Sequence, residues 1–181
     1  MTTPNEIMYD VPKFAVMYVV ARLITGGSFR DMRWQSLVGF TLLGLALYHL
    51  FVKNLINTTG FGQYKGAVDD TLKFGTAFLV AQLLEGRGKF SRAWGMSTVG
   101  FLAGLALYNL FISNIFRGSM LFPNQPALAM SVDDILKFGS ALLVSQLAVG
   151  GSLNGGYMGS AGAQLVGFTV FNLLYGFMAR M

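Results

Sequence analysis

His49 is the one histidine of the chain, and it stands in "GLALYHLF" (Gly44 to Phe51), which recurs from Gly104 as "GLALYNLF" with Asn109 in its place. A looser third copy, "GFTVFNLL" from Gly167, carries Asn172 there. An imidazole in an apolar segment is a candidate for proton transfer or ligand binding. Asparagine does not titrate near neutral pH, yet it donates and accepts hydrogen bonds equally well. Because two of the three copies use it, the chemistry shared by His49, Asn109 and Asn172 is an interhelical hydrogen bond. They are expected as intramembrane polar clamps. Arg22, Gln82 and Gln146 form a second polar set, each nine positions after the lysine of an Asp-x-x-Lys-Phe motif. These are expected as a further tier of clamps, with pore lining as the competing reading.

Catalysis finds little to work with. The chain has no cysteine, which excludes disulfides, iron–sulfur clusters and thiolate metal sites. A lone histidine cannot build a zinc or haem site of the usual kinds. The eight carboxylates are expected in termini, junctions and turns, where they would form no aspartyl dyad or proton relay. "GGSLNGGYMGSAG" from Gly150 is rich in glycine but lacks the Gly-Lys-Ser/Thr ending of a phosphate loop. Ser160 within it lacks the spacing and the rest of the pattern of an intramembrane serine protease. Neither an enzyme, a cofactor nor a metal is expected.

The elements that position these residues follow from composition. Hydrophobic residues make up 54% of the chain and charged residues 12%, with mean hydropathy +0.55. Soluble domains carry about 25% charged residues, so this chain is read as an integral membrane protein whose solvent is lipid. The net charge of +5 comes from thirteen scattered lysines and arginines, with no basic run for nucleic acid. "MTTPNEIMYDVPKF" lacks the basic n-region and cleavage site of a signal peptide, so insertion is expected to depend on internal helices.

The whole chain, 1–181, reads as one membrane domain containing three copies of a unit, at about 10–56, 70–116 and 134–179. Each unit holds a shorter apolar segment, a glycine-rich turn and a longer apolar segment. Asp10, Asp70 and Asp134 are expected as N-caps of the shorter segments. Gly26-Gly27, Gly86 and Gly150-Gly151 are expected at their C-termini. The longer segments, Trp34 to Ile56, Trp94 to Phe116 and about Tyr157 to Met178, are long enough to span. Eleven uncharged residues between Lys73 and Glu85 fit a short span or a re-entrant helix. Acidic starts and basic turns favour the span. The expected fold is all-α: six transmembrane helices as three tandem helical hairpins about a pseudo-threefold axis.

In lipid, helices meet through close backbone approach and interhelical hydrogen bonds. Gly44, Gly100, Gly104, Gly159 and Gly167 are therefore expected at helix contacts. Tyr48, Tyr108 and Phe171, one turn beyond the octapeptide glycines, are expected to pack on the same face. Compact, rich in Phe, Asn and Gly, with short loops and no catalytic cluster, the chain resembles the multi-pass structural proteins of the inner membrane beneath the capsids of large icosahedral DNA viruses. That resemblance implies a capsid-associated virion membrane protein. The expected function is a structural scaffold that packs in the bilayer and docks membrane or capsid-like partners within a larger assembly. A small channel or transporter along the threefold axis is the alternative.

Overall fold

The computed structural model describes residues 4–85 and 89–178, with side chains from Glu6 onward. Gly86 lies outside them. The protein is all-helical, with no strand among the described residues. Helix α1 is Pro4–Ile24 and α2 is Met32–Leu55, the latter passing through a π turn at Tyr48–Val52. A 3-10 turn, Thr58–Tyr64, leads into α3, Lys65–Glu85. Helix α4 covers 92–115 with a second π turn at Tyr108–Ile112; the short α5 is Gly118–Leu121. Helices α6, Pro126–Ala148, and α7, Gly155–Met178, complete the chain.

Three stretches, Met32–Leu55, Arg92–Leu121 and Gly155–Met178, are long and apolar enough to cross a membrane. This is consistent with membrane integration. A helix of 24 residues, as α7 is, rises roughly 36 Å, against a hydrocarbon core of roughly 30 Å.

Asp10, Asp70 and Asp134, expected as N-caps, lie instead inside α1, α3 and α6, which start earlier at Pro4, Lys65 and Pro126. The residues before each aspartate are good enough helix formers to extend the helix, and Pro126 suits a first turn because its missing N–H is not needed there. The aspartates are thereby freed from backbone duty. Side-chain caps occur at the other helices: Asp31 accepts from the Arg33 and Trp34 amides, Ser91 from Trp94, and Asn154 from Tyr157.

The glycine ends follow expectation where they are described. Gly26 and Gly150 have φ of 68° and 70°, the left-handed conformation that a side chain disfavours. Around them the Gly27 amide bonds Arg22 O and Gly26 bonds Leu23 O, with Gly151 to Gln146 and Gly150 to Leu147 repeating the pattern. This is the paired bonding of a Schellman stop.

The six long helices close a ring in the order α1, α2, α3, α4, α6, α7, with α7 returning to α1. Small residues set the approach. A Cβ added to Gly44 would lie 2.6 Å from Ala77 Cα, one on Gly104 2.5 Å from Ala141 Cα, and one on Gly167 2.6 Å from Met17 Cα. Gly100 meets Ser145 and Ala148 in the same way. Gly159 is a correction: it has no neighbour within 4 Å. It is the fifth residue of α7 and faces open space, although Tyr157 two residues earlier already bonds Leu142 O of α6. Tyr48, Tyr108 and Phe171 are buried, as their spacing from the glycines predicts.

Candidate functional site

The in-helix aspartates place their carboxylates at the centre of the ring, three residues from a lysine on the same helix. Each lysine nevertheless binds the aspartate of a different helix. Lys13 of α1 donates to Asp134 of α6 at 2.7 Å, Lys137 of α6 to Asp70 of α3 at 2.7 Å, and Lys73 of α3 to Asp10 of α1 at 2.6 Å. The three pairs form a closed cycle through α1, α6 and α3. Lys13, Asp70 and Asp134 are all buried. A buried charge is tolerated only when paired and hydrogen-bonded, and each cation here has its anion.

The residues of the changed letter complete those carboxylates. His49 Nε2 lies 2.9 Å from Asp10 Oδ2, and Asn109 and Asn172 donate to Asp70 and Asp134 at 2.6 Å each. Each bond joins the two helices of one sequence repeat. The remaining capacity differs among them. Asn109 gives a second hydrogen to Leu105 O at 2.9 Å, next to the π turn. Asn172 accepts from the Tyr9 hydroxyl at 3.1 Å. His49 Nδ1 has no hydrogen-bond partner, although the residue is only 1% exposed.

Behind the lysines, the motif phenylalanines meet. Phe14, Phe74 and Phe138 form a triangle with centroid separations of 5.3, 5.5 and 5.6 Å, all edge-to-face. Phe168 stacks on Phe138 at 4.2 Å. Beyond this triangle lies a cavity of about 390 Å³, lined mainly by aromatic and aliphatic groups with Thr41, Ser97, Thr98, Ser145 and Gln164 as polar exceptions.

Arg22, Gln82 and Gln146, expected as clamps within the membrane, bond across their own turns instead. Arg22 donates to Ser28 O at 2.8 Å and to Asp31, Gln146 donates to Ser152 O at 3.0 Å, and Gln82 donates to Lys89 O. These side chains fold over the turn because the loop carbonyls there have no helical partner. Ser160 is exposed near the start of α7, and His49 is engaged by Asp10.

The Asp–Lys cycle and the phenylalanine triangle are the features that residue-by-residue reading misses. Their signal was on the page, in the triplicate Asp-x-x-Lys-Phe. Asp and Lys three apart share a helix face, and a face bearing both charges in an apolar chain calls for partners on other helices.

Fold and site define a helical protein with three helices able to cross a membrane, tied at its centre by paired charges and packed rings. No protein-family model, no curated protein and no solved structure matches the chain.

Proposed function

We propose that the protein is a non-enzymatic, multi-pass membrane scaffold. In this reading all six long helices cross the bilayer as three tandem hairpins about a pseudo-threefold axis, and the polar junctions dock partner proteins. The observation that carries it is the closed Asp–Lys cycle, in which the central charges neutralise one another and hold α1, α3 and α6 together. Charges committed in this way are not offered to a substrate. The junctions present exposed Phe61, Tyr64, Met120 and Leu121, apolar groups suited to a membrane interface or a protein partner.

A channel along the axis is the second reading, and the cavity of about 390 Å³ favours it. The packed Phe14, Phe74 and Phe138 rings weigh against it, since they fill the path between that cavity and the charge cycle.

The test joins two measurements on one preparation. Cross-linking in native membranes followed by mild-detergent purification should recover defined partner proteins linked through 57–69 and 116–133. Wild-type liposomes should show no ion or solute flux above protein-free vesicles. Flux together with an absence of linked partners would replace the scaffold by the channel.

A further inference from the structure

The second cavity, about 340 Å³, lies beside His49 and is lined by residues of α1, α2, α3 and α7. Two buried polar atoms on its lining residues have no hydrogen-bond partner, His49 Nδ1 and Asp69 Oδ1. Their chemistry is determined by their neighbours. Asp10 accepts and cannot donate when ionised, so His49 Nε2 is the donor in that 2.9 Å contact and the neutral ring keeps a lone pair on Nδ1. Glu6 Oε2 stands 3.8 Å from Nδ1, too far for a hydrogen bond. Asp69 Oδ1 is an acceptor as well. Both unpartnered atoms are therefore acceptors, and neither the lysines nor the tyrosines of the lining donate to them.

Charge points the same way. Among the lining carboxylates, Glu6 pairs with Lys53 and Asp10 with Lys73, while Asp69 makes no ion pair among the described residues. One negative charge is left over. Tyr9, Tyr48 and Tyr175 also line the cavity, and aromatic rings attract a cation over their faces. The volume lies within the range of small-molecule pockets, about 300–1,000 Å³.

We infer that this pocket binds a small primary ammonium compound, whose N–H groups supply the donors that His49 Nδ1 and Asp69 Oδ1 lack. The ammonium comes either from a free amine or from the ethanolamine headgroup of a lipid. This goes beyond the scaffold reading and does not depend on it. It also accounts for the changed letter: the Asn172 acceptor is taken by Tyr9, Asn109 does not line this cavity, and His49 alone of the three keeps an unpartnered acceptor beside it.

The test is calorimetric titration of the full-length protein in maltoside detergent at pH 7.5 with ethanolammonium chloride, glycolate and ethylene glycol. Saturable binding is expected for the ammonium only. Asp69→Asn removes the unpaired charge and should weaken it by about tenfold or more, the loss of one charge-assisted hydrogen bond. His49→Asn should weaken it too, because the shorter side chain withdraws the acceptor. Melting temperature reports folding, and Tyr175→Leu on the rim is a second route to weaker binding if Asp69→Asn misfolds. Competition by phosphatidylethanolamine in nanodiscs assigns the ammonium to a lipid headgroup, and its absence assigns it to a free amine. No ammonium binding, equal binding of glycolate or the diol, or undiminished affinity in well-folded Asp69→Asn overturns the inference.

Discussion

Asp134 binds Lys13, 121 positions away in the chain, through both carboxylate oxygens at 2.6 and 2.7 Å. This pair joins the last Asp-x-x-Lys-Phe motif to the first and closes the charge cycle. Lys13→Met leaves Asp134 buried with Asn172 and no cation, and breaking a buried pair from one side typically costs about 3–5 kcal/mol. The double variant Lys13→Met/Asp134→Leu buries no charge there and should recover much of that loss. Unfolding in detergent measures both. A double variant no more stable than the single one would mean that the pair matters for something other than charge compensation.

The changed letter gives a second prediction. His49→Asn places at the first carboxylate the same group that Asn109 offers to Asp70, and the melting temperature should stay near wild type. His49→Leu deletes the bond to Asp10, and intramembrane hydrogen bonds average about 0.6 kcal/mol and reach about 1.7. A modest drop in melting temperature is expected for that variant alone. A larger loss in His49→Asn than in His49→Leu would contradict the clamp.

Glycines of the two kinds should part company. Gly104→Leu forces a branched side chain against the Ala141 backbone, where even a Cβ would lie 2.5 Å from Cα. Overpacking of this sort typically costs about 1–3 kcal/mol. Gly159→Leu enters open space and should change stability little. Equal melting of the two variants would remove close approach as the reason for the octapeptide glycine.

Membrane topology can be read by thiol labelling, since the chain has no cysteine of its own. Six spans put Gln63→Cys and Asn124→Cys, both at junctions, on one face, and Ser28→Cys and Ser91→Cys, both at hairpin turns, on the other. An impermeant maleimide applied to sealed vesicles should therefore label one pair before lysis and the other only after it. Labelling of Gln63→Cys and Ser91→Cys from the same face would make α3, the helix between them, re-entrant.

The amino-acid sequence by itself determined the all-helical class, the three helices long and apolar enough to cross a membrane, and the glycine stops. These follow from local quantities: apolar content, segment length, and the conformations open to Gly26 and Gly150. It also carried the close approach of Gly44, Gly104 and Gly167, because a glycine repeated in register in an apolar segment has few other uses. Tertiary structure alone decided what the charges do. Asp10, Asp70 and Asp134 look like caps when each motif is read singly, because Asp before an apolar run is a common helix start. Only the ring brings Lys13 to Asp134, Lys73 to Asp10 and Lys137 to Asp70. Likewise Arg22, Gln82 and Gln146 sit at an ambiguous depth in the linear chain, and the turn geometry draws them onto loop carbonyls. Periodicity tells which residues share a face. Which face meets which is set by packing among helices far apart in sequence, and there a buried charge chooses its partner.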